Sequence, residues 1–451
     1  MNDAEGPRRR PFPPAPTIRL IALLVGCAVW ATSAAKQNTA AAWLENGQRP
    51  ALFSRGVPFS EPFETYLRTQ FPRDPRLSPP RPPLPIVTAP RARNCILLIG
   101  DGMGLAHVSG AGLAAYGVGG RLAIQRMPVV GLVATHSSSS LLTDSGAAAT
   151  ALATGFRTYN GAVAEDADGR PLESYFLTAQ RHGKRTGLVV TSSLTHGTPA
   201  PFVANVTWRY MEPEIAAQLI ERNTNVLLGG GLGFFLPRSH PTRLGMRYDE
   251  RNLLVEAVQR GYQTIFSEND MARLQGDRAL GLFGLTSMSS AETARPPLCD
   301  MTSKALELLS RGDAGFCLMV EGSQIDWRSH AGDFEGALWE TLEFDRAVER
   351  CLRFAERTGD TLVVVTADHE TGGLGLSGRG ADGVSGYWSA GYHTAVMVPL
   401  FACGPGSLSF AGVYENIEVP VKIATALELD EFPALRARLT AARTEKGPRR
   451  V

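Results

Sequence analysis

Short, continuous apolar runs alternate along the chain with longer stretches in which apolar residues recur every three or four positions. Runs of this length are typical of strands that are buried on both faces of a parallel sheet. They span Cys95–Ile99, Gly187–Thr191, Asn225–Leu228, Phe316–Val320, Leu362–Thr366 and Val396–Ala402. The clearest helical pattern begins at Phe334 and continues to about Glu356. This alternation predicts an α/β fold, a three-layer sandwich with a largely parallel central sheet and helices on both faces.

The first 35 residues have the pattern of an export signal, either a signal peptide or a lipoprotein signal. Basic Arg8–Arg10 precede the apolar run Leu20–Ala31, and small residues follow through Ala35. The run is too short to span a bilayer comfortably. Arg9 and Arg10 weakly resemble a twin-arginine signal, and Leu24–Cys27 resembles a lipobox that would leave a lipid anchor on Cys27. The pattern predicts an exported protein, periplasmic or extracellular, with a membrane-anchored form left open.

The distribution of prolines separates an N-terminal arm from the catalytic domain that is expected to follow it. Eight prolines between residues 72 and 90 predict that residues 36–93 form an arm in which these prolines break regular elements. We expect a catalytic domain over residues 94–430 and a basic tail over residues 431–451. The arm is a candidate contributor to a dimer interface.

Charge and cysteine usage narrow the classes of function. Lys and Arg total 45 and Asp and Glu total 44, so no basic excess exists for binding nucleic acid. The hydrophobic fraction of 44% excludes a disordered chain. None of the six cysteines forms a C-x-x-C pair, which excludes a zinc ribbon or a thioredoxin-type site. Cys95, Cys317 and Cys403 lie in apolar runs and are predicted to be buried thiols, with one disulfide left possible.

Acidic residues stand at the ends of three predicted strands: Asp101, Glu321 and Asp368. Ligands of open α/β sheets bind beyond the carboxyl ends of the strands, so these carboxylates are expected at one edge. Uncompensated, their charges would raise each other's pKa, and bound cations are the simplest compensation. One such aspartate alone is more often a loop or helix cap. Three of them predict a metal site.

Histidines strengthen this prediction. Asp326 and His330 are four residues apart, as one helical turn requires for side chains on one face. His369 directly follows Asp368, and His393 lies 24 residues further on. Asp, Glu and His without Cys suit zinc together with magnesium. Three other histidines are expected to be ordinary core or surface side chains: His107, His182 and His240.

Ser145 is the candidate nucleophile. It precedes an alanine-rich run that predicts a helix, with Gly155 as its C-cap. A serine at a helix N-terminus lies beside free amide groups that favour an anion. The common alternative is a serine that only caps the helix.

Taken together, these residues resemble the alkaline phosphatase family. The resemblance covers roughly residues 94–430, and the matching motifs occur in the family's order. The motifs are Gly100–Gly104, Thr143–Ser145, Thr195–Ala200, Leu228–Gly231, Met319–His330, Thr366–Gly373 and Tyr392–Thr394. The first motif alone is weak, whereas the set is highly specific.

The resemblance implies hydrolysis of small-molecule phosphate monoesters through a phosphoserine at Ser145, with two zinc ions and one magnesium ion per subunit. Arg209 would clamp the phosphate and Asp144 would orient Arg209. A homodimer is also implied. The implied ligands are Asp326, His330 and His393 for the first zinc, Asp101, Asp368 and His369 for the second, and Asp101, Thr198 and Glu321 for magnesium.

Two positions depart from the enteric bacterial pattern, which has Asp and Lys where this chain has His196 and Trp327. This pair is similar to that of certain marine and cold-adapted bacterial enzymes. A neutral imidazole supplies no negative charge, so we expect weak magnesium binding at the third site. Trp327 removes a cation near the phosphate, which could ease product release.

Alternative functions use related chemistry. A phosphodiesterase or nucleotide pyrophosphatase of the same superfamily would share the two-zinc site, but typically uses Thr as nucleophile and lacks the third-site ligands. A sulfatase is disfavoured because no C-x-P-x-R or S-x-P-x-R motif surrounds Ser145. A non-catalytic, exported metal- or phosphate-binding lipoprotein could keep the ligands without turnover.

Overall fold

A ten-stranded sheet runs through the computed structural model, which describes residues 59–71, 82–378 and 383–433. The strands among these residues are β1 Asn94–Gly100, β2 Val129–Ala134, β3 Arg185–Ser193, β4 Val226–Gly230, β5 Gln263–Ile265, β6 Ala279–Leu282, β7 Phe316–Gly322, β8 Thr361–Thr366, β9 Glu370–Thr371, β10 Leu374–Ser377, β11 Ser385–Trp388, β12 His393–Thr394, β13 Val398–Cys403 and β14 Gly412–Glu415. The order across the sheet is β14-β2-β13-β8-β1-β7-β3-β4-β6-β5. Only β13 runs antiparallel to its neighbours in this sheet, so the predicted largely parallel sheet is confirmed.

The helices among the described residues are α1 Glu61–Gln70, α2 Leu105–Tyr116, α3 Ser145–Thr154, α4 Tyr175–Arg181, α5 Glu212–Glu221, α6 Leu253–Gln259, α7 Glu268–Ala272, α8 Leu298–Leu309, α9 Gln324–His330, α10 Phe334–Thr358 and α11 Glu418–Ala426. Helix α8 packs on β3, β4 and β7, and α10 packs on β1, β7 and β8. None of these helices has both the length and the apolar character that a membrane crossing needs.

Helix α10 shows why the sequence pattern predicted it correctly. The carboxylate of Asp333 accepts a hydrogen bond from the Gly336 amide (2.9 Å) and caps the N-terminus. Gly359 ends the helix in a left-handed conformation (φ 71°), which glycine adopts without steric cost. Between these caps, an apolar face that includes Leu342 and Val348 is fully buried.

The register of the central strands brings chain ends to one edge of the sheet. Ile99 of β1 pairs with Glu321 of β7 on one side and with Thr366 of β8 on the other. Because the three strands are parallel, the segments that follow Ile99 and Thr366 leave the sheet beside Glu321. The residues of all three strands are buried, as the continuous apolar runs predicted.

Other parts of the fold differ from the sequence-based expectation. Strand β2 was not predicted because its side chains alternate between buried and exposed positions. Val396 and Met397 lie outside β13 and are exposed, so that strand begins later than predicted. The arm predicted for residues 36–93 contains helix α1, which precedes the prolines and buries Phe63 and Leu67.

Residues 82–93 contain no helix or strand. The predicted export signal, Cys27 and most of the basic tail lie outside the described residues. The five described cysteines are free and buried, so no disulfide joins them: Cys95, Cys299, Cys317, Cys351 and Cys403.

Candidate active site and metal centres

Three carboxylates lie together at the carboxyl ends of β1, β7 and β8. Asp101 directly follows β1, Glu321 lies near the end of β7, and Asp368 lies two residues after β8. All three are fully buried. The turn that follows β1 depends on Gly102 (φ 72°), where an added Cβ would lie 2.7 Å from the hydroxyl oxygen of Thr371. The turn therefore requires glycine at this position.

Burial and mutual repulsion make the charged forms of these carboxylates costly. Burial, and then the charge of Asp368, raise the pKa of Asp101 well above its usual value. Burial chiefly raises the pKa of Glu321 to about 8 and that of Asp368 to about 6. One buried oxygen of each side chain accepts no hydrogen bond: Oδ1 of Asp101, Oε1 of Glu321 and Oδ2 of Asp368. A bound cation would provide the partner that these buried carboxylate oxygens lack.

The first candidate metal cluster consists of Asp326, His330 and His393. Asp326 and His330 lie one turn apart on α9, and the Nε2 atoms of His330 and His393 are 3.3 and 3.6 Å from Oδ1 of Asp326. His393 places Nδ1 2.7 Å from the carbonyl oxygen of Thr143, and His330 places Nδ1 3.2 Å from that of Gly391. A carbonyl only accepts, so each Nδ1 donates and each Nε2 keeps its lone pair for a metal.

The second candidate cluster consists of Asp101, Asp368 and His369. Nε2 of His369 lies 3.5 Å from Oδ1 of Asp101 and 3.2 Å from Oδ2 of Asp368. The Thr371 hydroxyl donates to Oδ1 of Asp326 (2.5 Å), so it accepts from Nδ1 of His369 (3.2 Å). Burial lowers the pKa of His369 to about 3, and the ring is neutral with Nε2 free to bind.

The third candidate cluster joins Asp101 and Glu321 to His196. The Thr198 hydroxyl lies 3.4 Å from Oδ2 of Asp101, which brings it to the same cluster. The His196 ring lies edge-on to Trp327, with 5.9 Å between centroids. The three residues that were expected to bind magnesium, Asp101, Thr198 and Glu321, therefore lie together, and His196 lies beside them.

Ser145 faces the second cluster from the start of α3. It is buried, and its Oγ lies 3.3 Å from Nε2 of His369. The N-cap of the helix is Asp144, not Ser145, so the alternative of Ser145 as a simple cap is wrong. Gly155 ends α3 in a left-handed conformation (φ 76°), as predicted. The Ser145 hydroxyl is therefore not committed to capping its own helix.

Asp144 connects α3 to Arg209. Its Oδ1 accepts from the Ala147 amide at 2.9 Å, which caps the helix. Its Oδ2 accepts from Nη1 of Arg209 (2.9 Å) and from the Gly161 amide (3.1 Å). The second guanidinium nitrogen, Nη2 of Arg209, lies 3.2 Å from Nε2 of His196. Arg209 is thereby held between the N-terminus of the helix that carries Ser145 and the third cluster.

Sequence reasoning gave no role to several residues that support the site. Thr371 lies inside a recognised motif, but its bridge between Asp326 and His369 depends on tertiary packing. Ser192 donates to Oε2 of Glu321 at 3.1 Å, and only its position near the end of β3 hinted at this. Glu212 accepts hydrogen bonds from Ser193 and Thr195, and so ties the loop after β3 to α5. The three histidines that were expected to be ordinary side chains lie outside all three clusters: His107, His182 and His240.

The chain is similar in sequence and in structure to known proteins. The sequence model of the family described as alkaline phosphatase matches residues 92–390. Alkaline phosphatase 4 of Bacillus subtilis is 35% identical over 325 residues, which cover 68% of this chain and 67% of that protein. The solved alkaline phosphatase of the Antarctic bacterium TAB5 is 34% identical, with a TM-score of 0.68 over 76% of this chain and 99% of that one. A variant of that enzyme, 33% identical to this chain with a TM-score of 0.68 over 76% of this chain and 99% of that one, replaces a histidine by glutamate and is described with Mg bound in its M3 site.

Proposed function

Because this chain belongs to the alkaline phosphatase family and is a phosphoric monoester hydrolase, we propose that it acts through a phosphoserine at Ser145, with two zinc ions and one magnesium ion per subunit. The observation that carries the proposal is the position of the Ser145 Oγ, 3.3 Å from Nε2 of His369 in the second cluster. Because the chain is an enzyme of this family, the alternative of a non-catalytic metal- or phosphate-binding lipoprotein is excluded. No described residue favours the phosphodiesterase alternative.

The side chains of the three clusters suit these metal ions. Zinc prefers imidazole nitrogen and carboxylate oxygen, which the first and second clusters offer, and magnesium prefers the oxygens of Asp101, Thr198 and Glu321. The unpaired buried oxygens of Asp101, Glu321 and Asp368 support this assignment. When bound, the metal ions would supply positive charge that stabilises the attacking and leaving oxygens of the displacement at phosphorus.

Ser145 would carry the covalent step. Its Oγ forms a bond to phosphorus while the bond from phosphorus to the ester oxygen breaks, which releases the alcohol. Water then attacks the phosphoserine, the Ser145 Oγ–phosphorus bond breaks, and inorganic phosphate leaves. The amide groups at the N-terminus of α3 lie beside Ser145 and favour the negative charge of the phosphoryl group.

Arg209 would bind the phosphoryl oxygens. A guanidinium group can donate two parallel hydrogen bonds to a phosphate, which fixes its orientation. The ion pair with Asp144 holds Arg209 in position, with each side chain only 12% exposed. Since Asp144 also caps α3, the same residue orients both the phosphate clamp and the helix that carries the nucleophile.

The third site would bind magnesium weakly and accept zinc in competition. His196 stands in the third cluster, where a carboxylate would add negative charge and accept hydrogen bonds from the waters of a magnesium ion. An imidazole suits zinc better than magnesium. The TAB5 variant with Mg bound, in which glutamate replaces a histidine, supports the same reasoning for that enzyme.

The enzyme would work outside the cytoplasm as a homodimer. The export part of this proposal is supported by the sequence of residues 1–35, which has the basic, apolar and small-residue order of an export signal. Mass spectrometry of the mature protein discriminates the forms. A start near Lys36 supports a cleaved soluble enzyme, a lipid on Cys27 supports an anchored one, and an intact Met1 in cytoplasmic protein contradicts export.

The proposed activity is tested by comparing a phosphate monoester with a diester as substrates of the purified protein. We expect a clearly higher kcat/KM for the monoester. Removal of metal ions by a chelator should abolish the activity, and zinc with magnesium should restore it. Full activity in protein shown by metal analysis to be free of zinc would contradict the metal requirement, and preference for the diester would contradict the substrate class.

A further inference from the structure

Exposed aromatic side chains border the candidate phosphate-binding residues. Trp208 and Tyr210 flank Arg209 in the sequence, and Tyr392 directly precedes His393. The exposed fractions are 49% for Trp208, 67% for Tyr210 and 52% for Tyr392. Large rings that remain exposed next to a catalytic centre leave apolar surface available to a bound molecule. These three residues are referred to below as the aromatic rim.

Tyr392 is held in place by the first cluster. Its ring stacks on the ring of His393, with 4.3 Å between centroids and an interplanar angle of 12°. It also contacts the ring of His330 at 5.4 Å. Half of Tyr392 nevertheless remains open to solvent, so part of this packed ring is available to a ligand.

Tyr210 is held in place on the Arg209 side. Its ring packs edge-on against Trp208 at 5.5 Å, and Cζ of Arg209 lies 5.8 Å from its centroid. Trp208 in turn lies against Gly161, where an added Cβ would meet its ring at 2.1 Å. Because the Gly161 amide donates to Asp144, Trp208 supports the same residues that orient Arg209.

The two tyrosines are linked through the candidate site. Tyr392 stacks on His393, which donates to the carbonyl of Thr143, and the next residue, Asp144, pairs with Arg209 beside Tyr210. Both rings therefore border the residues that are proposed to hold the phosphoryl group.

We propose that Tyr210 and Tyr392 form a leaving-group subsite that favours phosphate monoesters carrying a planar aromatic ring, such as nucleoside 5′-monophosphates. This inference rests on the proposed function, because it concerns the alcohol portion of the same substrate. The flat faces of the rings can stack on a base, and the hydroxyl groups can bond to its polar edge. A sugar phosphate without a base offers no such face.

The test compares AMP with ribose 5-phosphate, which share the same phosphorylated alcohol and differ by the base. The ratio of kcat/KM for AMP to that for ribose 5-phosphate is measured with the full-length enzyme loaded with zinc and magnesium. Loss of one base–aromatic stack predicts that this ratio falls by about tenfold in Tyr210→Ala and in Tyr392→Leu. Leucine keeps apolar volume against His393. Tyr248→Ala removes an exposed tyrosine next to Arg238 and serves as the matched control, with an unchanged ratio.

The outcomes separate this inference from the proposed function. A wild-type ratio well above one that falls in both rim variants, but not in Tyr248→Ala, supports the subsite. Efficient hydrolysis of both substrates with a ratio near one, or an equal fall in all three variants, overturns the subsite and leaves the phosphatase mechanism intact. Hydrolysis of neither substrate would overturn the proposed function instead.

Discussion

Oδ2 of Asp144 lies 2.9 Å from Nη1 of Arg209, while Oδ1 of the same carboxylate caps the helix that begins with Ser145. One buried side chain therefore couples the orientation of the phosphate clamp to that of the nucleophile. A helix cap requires only an oxygen acceptor, whereas orienting a guanidinium also requires negative charge. The two roles of Asp144 can thus be separated by experiment.

Asp144→Asn should keep the cap and weaken the hold on Arg209. Loss of one charge-assisted hydrogen bond corresponds to a fall in kcat/KM of about tenfold to a hundredfold. Asp333→Asn is the matched control, because Asp333 also caps a helix and pairs with an arginine, Arg328, at 2.8 Å. Equal kcat/KM values for Asp144→Asn and the wild type, measured by steady-state kinetics, would show that Asp144 does not orient Arg209.

The strands that the sequence predicted correctly are those buried on both faces. β1, β7 and β8 form continuous apolar runs because each has neighbours on both sides and is covered above and below. β2 alternates between buried and exposed side chains, and its short apolar stretch gives a weaker pattern. α1 was not predicted because the prolines that follow it led the whole segment to be interpreted as an arm, although its N-cap Ser60 and the four-residue spacing of the buried Phe63 and Leu67 are local helix signals.

The proximity of the site residues was predictable to the extent that the fold was. Asp101 directly follows β1, and Glu321 lies near the end of β7. Because these neighbouring strands are parallel, their register alone brings both carboxylates to one edge of the sheet. The contacts of Thr371 and the stacking of Tyr392 on His393 join segments whose relative position depends on tertiary packing. No periodicity in the sequence encodes such contacts, and they became visible only in the folded structure.

His196→Asp should raise the affinity of the third site for magnesium. The new carboxylate would add negative charge beside Asp101 and Glu321, which a hard divalent cation prefers to an imidazole. We expect the variant to retain magnesium through dialysis and to resist inhibition by excess zinc. The metal content of the variant is the decisive measurement. Trp327, near this site, is also expected to affect product release, so the turnover rate alone would not report magnesium affinity. His240→Asp, outside all three clusters, controls for the added charge. Tight magnesium binding in the parent, unchanged in His196→Asp, would contradict the assigned role of His196.

Glu340 predicts a pH dependence of stability away from the metal clusters. It is buried on α10, one oxygen accepts from the Ala291 amide (2.9 Å), and burial chiefly raises its pKa from 4.5 to about 7. A carboxyl group with a raised folded-state pKa holds a proton that the unfolded chain releases. Its stabilising contribution is therefore complete below pH 4.5 and is lost as the pH rises through about 7.

The comparison of wild type with Glu340→Gln isolates this effect. Glutamine remains neutral, so the melting temperature of the wild type should fall relative to that of the variant between about pH 5 and pH 8. Glu214→Gln, at an exposed position of α5, should follow the wild type at every pH. If the melting temperatures of the wild type and Glu340→Gln changed with pH by the same amount across this range, Glu340 would not titrate in the folded protein.

The central claim is that Ser145 becomes phosphorylated during turnover, and trapping the intermediate tests it most directly. The metal-loaded enzyme is mixed with a phosphate monoester at mildly acidic pH, quenched in acid and digested, and the phosphorylated residue is located by mass spectrometric fragmentation. The account predicts covalent phosphate on Ser145, and no trapped phosphate in Ser145→Ala protein that retains its metal ions. Phosphate on another residue, or equal trapping in Ser145→Ala, would contradict the account.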